Sequence, residues 1–418
     1  MSLIFSLFSR VVGAVAVILL VLIIGRQYSS EHAGLILFLF ASTQFLMGLS
    51  RGGTEVDLLE ASRNRSMADG YDNLLTVARR AFRRSLLLSV PVAIVASLAF
   101  MTSDQARGLA PTVALFALSI IPGALILLEI EVLRGIGQAA AATFLQTGAI
   151  QVVLIPIALL HLGGATGFAL AFALVHVVVL LVTAVALRRL LRQHEATISE
   201  NAEMADPGLS ELQERNRGWV VAVELLRIAF VWAPLLFLYW KGSAEAILEF
   251  SVAGRMAAAV GLLVPAFLNF LAPSQVAKYV EDAQIPAATL MFGLGVLIVP
   301  AVMFGIVATI APSLVLEVSG IATLSADEFL RLLLALIAVQ TLMGLASFFL
   351  QERLIGRFEK RSAVSLGVAF IIVLTAGITF VGDFDATSAA LVALVLQAGA
   401  LCALATPKIH IAQRTLSS

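Results

Sequence analysis

Twelve apolar segments of near-membrane-spanning length follow one another along the chain, and they constrain its fold more than any other feature. They cover roughly residues 3–25, 33–50, 85–102, 109–130, 141–160, 165–187, 219–240, 247–272, 287–311, 329–350, 363–381 and 389–406. A helix needs about 20 apolar residues to cross the hydrocarbon core of a bilayer. So many runs of this length cannot all be core helices of one soluble domain. In lipid a helix satisfies its own backbone polar groups, whereas an open strand does not. The sequence therefore predicts an all-α polytopic membrane protein with twelve transmembrane helices. Prolines 91, 111, 122, 156, 234, 265 and 300 fall inside or at the ends of the segments. They predict kinks of the kind that packed membrane helices tolerate.

The first segment has one competing reading. Val11–Ile24 after Arg10 resembles the apolar part of a signal peptide, but Gly25-Arg26-Gln27-Tyr28 carries no small-x-small cleavage site. A retained first span is the expectation.

Composition agrees. The chain is 60% apolar and 13% charged, against about 45–50% and about 25% for a soluble domain. Its 27 Lys and Arg balance 27 Asp and Glu, so no basic field exists to gather nucleic acid. Cys402 is the single cysteine, and five scattered histidines make no metal-site spacing with it. No nucleotide-binding loop, metal-binding helix or nucleophile elbow is present. No cofactor and no enzyme activity are expected.

Basic residues mark the cytoplasmic side of a membrane protein. With the N-terminus inside, 21 of the 27 Lys and Arg fall in inside loops and tails. Only Arg26, Arg107 and Lys241 fall outside, and Arg227, Arg255 and Arg331 lie within spans. Both termini and the long loops 51–84 and 188–218 are therefore expected to be cytoplasmic. The second loop, with Glu195, Glu200, Glu203, Asp206, Pro207 and Gly208, reads as a linker. It would join an N-terminal lobe, residues 1–187 with spans 1–6, to a C-terminal lobe, residues 219–418 with spans 7–12.

A faint repeat supports two six-helix halves. Ser29-Ser30-Glu31-His32-Ala33-Gly34 opens span 2 and Gly242-Ser243-Ala244-Glu245-Ala246 opens span 8. Glu131-Val132-Leu133-Arg134-Gly135-Ile136-Gly137 leaves span 4 and Glu352-Arg353-Leu354-Ile355-Gly356-Arg357 leaves span 10. Matching polarity in the two halves implies a parallel repeat about an axis along the membrane normal.

Ionisable groups at membrane depth are costly and usually face a wet cavity or a partner. The candidates are Arg10, Arg51, Glu55, Glu129, Glu131, Glu224, Arg227, Glu249 and Arg255. Arg10 reads either as a cavity cation or as an anchor snorkelling to the cytoplasmic interface. Arg51, before Gly52-Gly53, reads either as a cavity group or as a positive-inside flank. Arg255 sits in the first third of span 8, where Gly254 and Ala257-Ala258-Ala259 predict close helix packing. Glu224 and Arg227, like Glu131 and Arg134, have the i,i+3 spacing of an intrahelical pair. His176 reads as a packed, hydrogen-bonded histidine rather than a proton relay. If a cation drives transport, Glu224 and Glu55 are the first coupling candidates, with Arg227 a possible cavity group beside Glu224.

Three motifs carry a family resemblance. Phe8-Ser9-Arg10-Val11-Val12-Gly13 resembles the first-helix Phe-Ser-Arg-Val-Leu-Gly signature of the lipid II flippases. Ile23-Ile24-Gly25-Arg26, followed by Ser30-Glu31-His32-Ala33-Gly34, resembles the turn between spans 1 and 2 of O-antigen and exopolysaccharide flippases. Phe250-Ser251-Val252-Ala253-Gly254-Arg255, with Pro273 beyond it, is similar to the eighth helix of both groups. All belong to the multidrug/oligosaccharidyl-lipid/polysaccharide (MOP) flippase superfamily. The resemblance implies two six-helix lobes forming a V around a central cavity that opens alternately to either side. It places Arg10, Arg51 and Arg255 where three diphosphate-binding arginines of the lipid II flippases would be, converging on the cavity. A further first-helix arginine of those proteins is Ala16 here, and two extra helices of theirs are missing. Both departures point to the O-antigen/exopolysaccharide (Wzx-like) branch. That branch implies an undecaprenyl-diphosphate-linked oligosaccharide as substrate, carried from the cytoplasmic to the periplasmic leaflet of a bacterial inner membrane. The implied partners are membrane lipids, a polysaccharide polymerase and a chain-length regulator, with no nucleic acid.

The chemistry of such a substrate is consistent with arginine, whose fork of donors matches phosphate oxygens. Two rivals stay open. A cation-coupled drug exporter of the same fold would want unpaired acids in one lobe, and spans 1–3, 5 and 6 have none in their middles. A membrane polysaccharide polymerase would want a large outside loop, and the longest here, about 312–328, holds only Glu317, Asp327 and Glu328 as acids.

Overall fold

The structure is a computed structural model. It describes residues 2–54, 57–58, 61, 70–103, 106, 108–136, 138–161, 163–201, 217–261, 287–319, 321, 323–355, 359–380 and 384–405. These residues form helices and short connections, with no strand among them. In chain order the helices are α1 (Ser2–Gln27), α2 (Ser30–Ser50), α3 (Gly70–Met101), α4 (Ala110–Leu118) and α5 (Ile120–Gly135). Then come α6 (Ala139–Thr147), α7 (Ala149–Leu159), α8 (Gly164–Asn201), α9 (Arg217–Lys241) and α10 (Ala244–Gly261). The last are α11 (Ala287–Ile310), α12 (Pro312–Ser319), α13 (Ala326–Ile355), α14 (Glu359–Phe380) and α15 (Ala386–Ala405).

Every one of the twelve apolar segments carries helix, although span 8 beyond Gly261 and Pro265 lie outside the described residues. Nine stretches among the described residues are long and apolar enough to cross a membrane. A tenth counts if α11 and α12, bent by 97° at their junction, are one broken span. The short α10 falls below that measure because Glu245, Glu249 and Arg255 put three charges into 18 residues.

Several boundaries differ from expectation for local reasons. Segment 109–130 is broken at Ser119, whose hydroxyl donates to the Phe116 carbonyl at 2.6 Å. Pro122 follows in the first turn of α5 and has no N–H to offer the Leu118 carbonyl. Segment 141–160 is broken at Gly148. The expected loop 51–84 is shorter than its polarity suggests, because α3 starts at Gly70. Leu74 and Ala81 are buried while Arg79, Arg80, Arg83 and Arg84 are exposed, an amphipathic extension beyond the apolar run. Likewise the expected linker at 188–218 begins as helix. Leu187 and Leu191, one turn apart, are buried against Ile126, Ile130 and Leu133, so α8 continues to Asn201. The expected outside loop 312–328 begins as α12 and ends in the first turn of α13.

The chain divides into two compact units. The first is Met1–Tyr28 with Leu35–Arg217, and the second is Ser29–Gly34 with Gly218–Ser418. In the first, α1 packs on α6 and α7, α3 on α4 and α5, and α8 on α4, α5 and α7. Its aromatic core joins Phe40 and Phe116 to Phe172, with ring centroids 5.6 and 4.7 Å away. His176 is the packed histidine the sequence suggested: its Nδ1–H donates to the Phe172 carbonyl at 2.8 Å. In the second unit α13 is central, packing on α10, α11, α12 and α15, while α14 packs on α15.

Outward faces are apolar. Leu170, Leu174, Val178, Leu181 and Val185 form an exposed stripe at helical spacing on α8, and Val299, Met303, Ile306 and Ile310 form another on α11. In water such stripes would be a liability; against lipid tails they are the stable arrangement. The repeated Ser motifs have a structural cause. Ser29 Oγ accepts from the His32 amide at 3.4 Å, and Ser243 Oγ accepts from the Ala246 amide at 3.1 Å, so each caps the helix it precedes. Gly34 lies against the start of α10 in the second unit, where any Cβ would collide with the Ala244 carbonyl.

Candidate functional site

The first unit brings two arginines to one carboxylate, with a third arginine within electrostatic reach of one of them. Glu131 lies near the end of α5, with its side chain 9% exposed. One turn on, Arg134 Nη1 donates to both Glu131 oxygens, at 2.8 and 2.7 Å. Arg134 Nη2 donates to Gln146 Oε1 on α6 at 2.9 Å. From the end of α2, Arg51 Nη1 reaches to 3.8 Å of Glu131 Oε1. A carboxylate this enclosed is stable only with cations or donors around it. The i,i+3 pair expected at the exit of span 4 is therefore real, but it belongs to a larger group.

Backbone chemistry places Arg51. The Arg51–Gly53 turn ends α2 with Gly52 N–H donating to Leu49 O at 3.1 Å and Thr54 Oγ1 donating to Arg51 O at 2.7 Å. Gly52 and Gly53 have φ of 58° and 76°. That left-handed region costs other residues roughly 1–2 kcal/mol each, which explains two glycines directly after the arginine. A Cβ on Gly52 would also come within 2.7 Å of the Leu88 side chain.

Arg10 is placed by helix packing. Phe8, Val11, Val15 and Leu19 form the exposed stripe of α1, and Arg10 lies off that stripe. It is half-buried, with its Nε enclosed and without a hydrogen-bond partner among the described residues. It lies within electrostatic reach of Arg134. At Gly148 the α6–α7 break lets α1 approach closely, since a Cβ there would stand 2.8 Å from Gly13 Cα. Gly13 is one turn from Arg10 and Gly148 is two residues from Gln146, so this contact sets the spacing of both.

Arg255 belongs to the second unit. Val252, Ala253, Met256, Ala257 and Val260 are the buried face of α10, and half-buried Arg255 flanks it. The close packing expected at Gly254 is not made there, because its Cβ position meets nothing within 4 Å among the described residues. Ala253 and Ala257 are the fully buried small residues instead. Of the coupling candidates, Glu55 lies outside the described residues, as does the side chain of Glu224 on α9. Arg227, one turn further, is exposed.

Two buried acids held a place among the sequence candidates but received no role from spacing alone. Glu129 is 3% exposed between α5 and α8, where the Thr183 hydroxyl donates to it and Arg188 lies within electrostatic reach. Its signal was the Glu-Ile-Glu step, which points residues 129 and 131 to different sides of α5. Glu249 on α10 accepts from the Thr323 hydroxyl at 2.6 Å. No cluster of His, Cys, Asp or Glu that could hold a metal occurs among the described residues.

No protein-family profile and no curated protein matches the sequence. Solved structures do. An inward-facing multidrug resistance MATE family transporter of the MOP superfamily matches over 99% of this chain and 98% of its own, with TM-score 0.66 and 13% identity. The chain has the fold of the MATE transporters. A MATE in complex with MaL6 matches over 100% of this chain and 96% of its own, at TM-score 0.64 and 14% identity. A MOP superfamily transporter from Pyrococcus furiosus, for which reverse polarity of the binding pocket suggests a different function, matches over 99% and 95%, at TM-score 0.58 and 14% identity. The MATE fold thus spans the chain, and these neighbours are transporters rather than enzymes.

Proposed function

We propose that this protein is a flippase for an undecaprenyl-diphosphate-linked oligosaccharide, an O-antigen or exopolysaccharide repeat unit. It would move that substrate from the cytoplasmic to the periplasmic leaflet of the bacterial inner membrane by alternating access. The observation that carries the reading is the arginine group of the first unit, in a chain with the fold of a MOP superfamily transporter. Arg10 and Arg51 come from separate helices to the same carboxylate-bearing end of α5. Moving a diphosphate-linked head group needs cations and a wet path, and no covalent step. Arg255 is the cation proposed from the second unit. The deciding experiment is deletion of the gene in its host. Loss of one surface polysaccharide, with its complete lipid-linked repeat unit retained on the cytoplasmic leaflet, supports the flippase. Accumulation on the outer leaflet would support the polymerase instead.

The orientation follows from the charge count. Reporter fusions should place Ser418 and the 188–218 stretch on the cytoplasmic side. An external reporter at either position refutes the orientation.

The second reading, a cation-coupled drug exporter, is favoured by Glu129. It is an acid buried in the first unit, on span 4, the one span of that half left out of the sequence count of acid-free middles. In that case Glu129→Gln, which keeps volume and removes charge, abolishes dye efflux driven by a proton gradient. On the flippase reading, overproduction in an exporter-deficient strain produces no efflux to abolish. For coupling of flipping itself we propose Glu55 and Glu224, with Arg227 beside the latter. Unchanged transport across pH and Na⁺ gradients in both Glu→Gln variants would remove them.

A further inference from the structure

The geometry points to Glu131 as a resident counter-ion that occupies the arginine group of the empty transporter and is displaced by the incoming diphosphate. This inference deepens the flippase reading and rests on it. Both terminal nitrogens of Arg134 are engaged: Nη1 by the two Glu131 oxygens at 2.8 and 2.7 Å, and Nη2 by Gln146 at 2.9 Å. That is the donor edge a phosphate would take. A carboxylate and a phosphate offer the same paired oxygens, so they compete for it.

Each participant is placed for an exchange. Glu131 and Arg134 lie one turn apart on α5, so their contact needs no other element. Arg51 approaches the same carboxylate from the end of α2, at 3.8 Å, too long for a direct hydrogen bond and short enough to feel its charge. Arg10 adds an enclosed Nε that no acceptor among the described residues takes, close enough to Arg134 to sense its charge. Arg10 feels the like charge of Arg134, and without Glu131 the guanidinium groups of Arg51 and Arg134 would lose the carboxylate they share. With it, the group is held together until an anion arrives. A bound diphosphate then sits beside a carboxylate of like charge, and that repulsion weakens the grip. Glu131 therefore makes the site assemble without ligand and release what it binds.

The test uses the full-length protein in lipid nanodiscs and farnesyl diphosphate as the probe, with binding measured by calorimetry. Glu131→Gln keeps the shape and an acceptor but removes the charge. It should bind the probe about tenfold tighter than wild type, the scale of one charge-assisted hydrogen bond regained. Glu131→Asp keeps the charge on a shorter arm that loosens the pairing with Arg134, so it should tighten binding by a smaller factor. If neither variant binds more tightly than wild type, the counter-ion role is wrong, and the aspartate variant answers even where the glutamine one folds poorly. The parent reading fails separately: unaltered probe binding in both Arg10→Ala and Arg51→Ala refutes a diphosphate site here, whatever the Glu131 variants do.

Discussion

Alanine at Arg10, Arg51 or Arg255 abolishes or sharply reduces surface polysaccharide in the host, at normal levels of the protein in the membrane. The expected size comes from the chemistry of the contact. A hydrogen bond to a charged group is worth about 1.5–3 kcal/mol, so each lost guanidinium weakens diphosphate binding by roughly one to two powers of ten. Lysine retains a charge but not the planar fork, and restores function only in part. The structure makes the three substitutions unequal in their side effects. Arg51 shares Glu131 with Arg134, so its loss also removes a counter-charge from an enclosed carboxylate. Arg10 makes no ion pair among the described residues, so Arg10→Ala is the cleaner test of anion binding. Immunoblots of membranes and polysaccharide profiles from complemented deletion strains check all three. Normal polysaccharide with Arg255→Ala would remove the second unit's residue from the proposal, and normal polysaccharide with Arg10→Ala would restore the interfacial-anchor reading of the first helix.

Gly148→Val should be nearly as damaging without touching a charge. Any Cβ at 148 stands 2.8 Å from Gly13 Cα, backbone against backbone, so no side-chain rotation relieves it. Over-packing of this kind costs about 1–3 kcal/mol, and more where neither backbone can move. The relief open to the protein is to push α1 away from the α6–α7 break. That would carry Arg10 away from Arg134 and shift Gln146, which holds the outer nitrogen of Arg134. The expected result is a lower melting temperature in detergent together with reduced polysaccharide. Gly148→Ala should lie between wild type and valine. A valine variant with wild-type stability and flipping would show that the contact at Gly13 does not set the position of Arg10.

Hydropathy made most of the fold legible. A bilayer-length apolar run has one low-energy form in lipid, a helix, and all twelve runs carry helix. The same reading stopped α3 and α8 at the membrane edge, because charge marks the interface and says nothing about whether a helix continues past it. Leu74, Leu187 and Leu191 decide that, by packing where the bundle extends beyond the apolar runs. The cluster was legible in part. Arg10 and Arg51 stood out as cations at membrane depth, and Glu131 with Arg134 stood out by spacing. Gln146 carried no signal, since a neutral amide in a loop-proximal helix is unremarkable until a guanidinium is found beside it.

What the sequence determined by itself is whatever depends on local chemistry. That includes the helical character of the apolar runs, the Ser29 and Ser243 caps, the Gly52-Gly53 turn after Arg51, and the i,i+3 pair on α5. The tertiary structure alone decided which distant groups share a neighbourhood. Arg51 meets Glu131 across 80 positions of chain, and Thr183 meets Glu129 across 54. Such meetings follow from which helix faces pack on which, a choice made by the summed fit of many side chains and by close approaches such as Gly13 on Gly148. No single residue's type encodes that fit, so the site became visible only when the helices were set side by side.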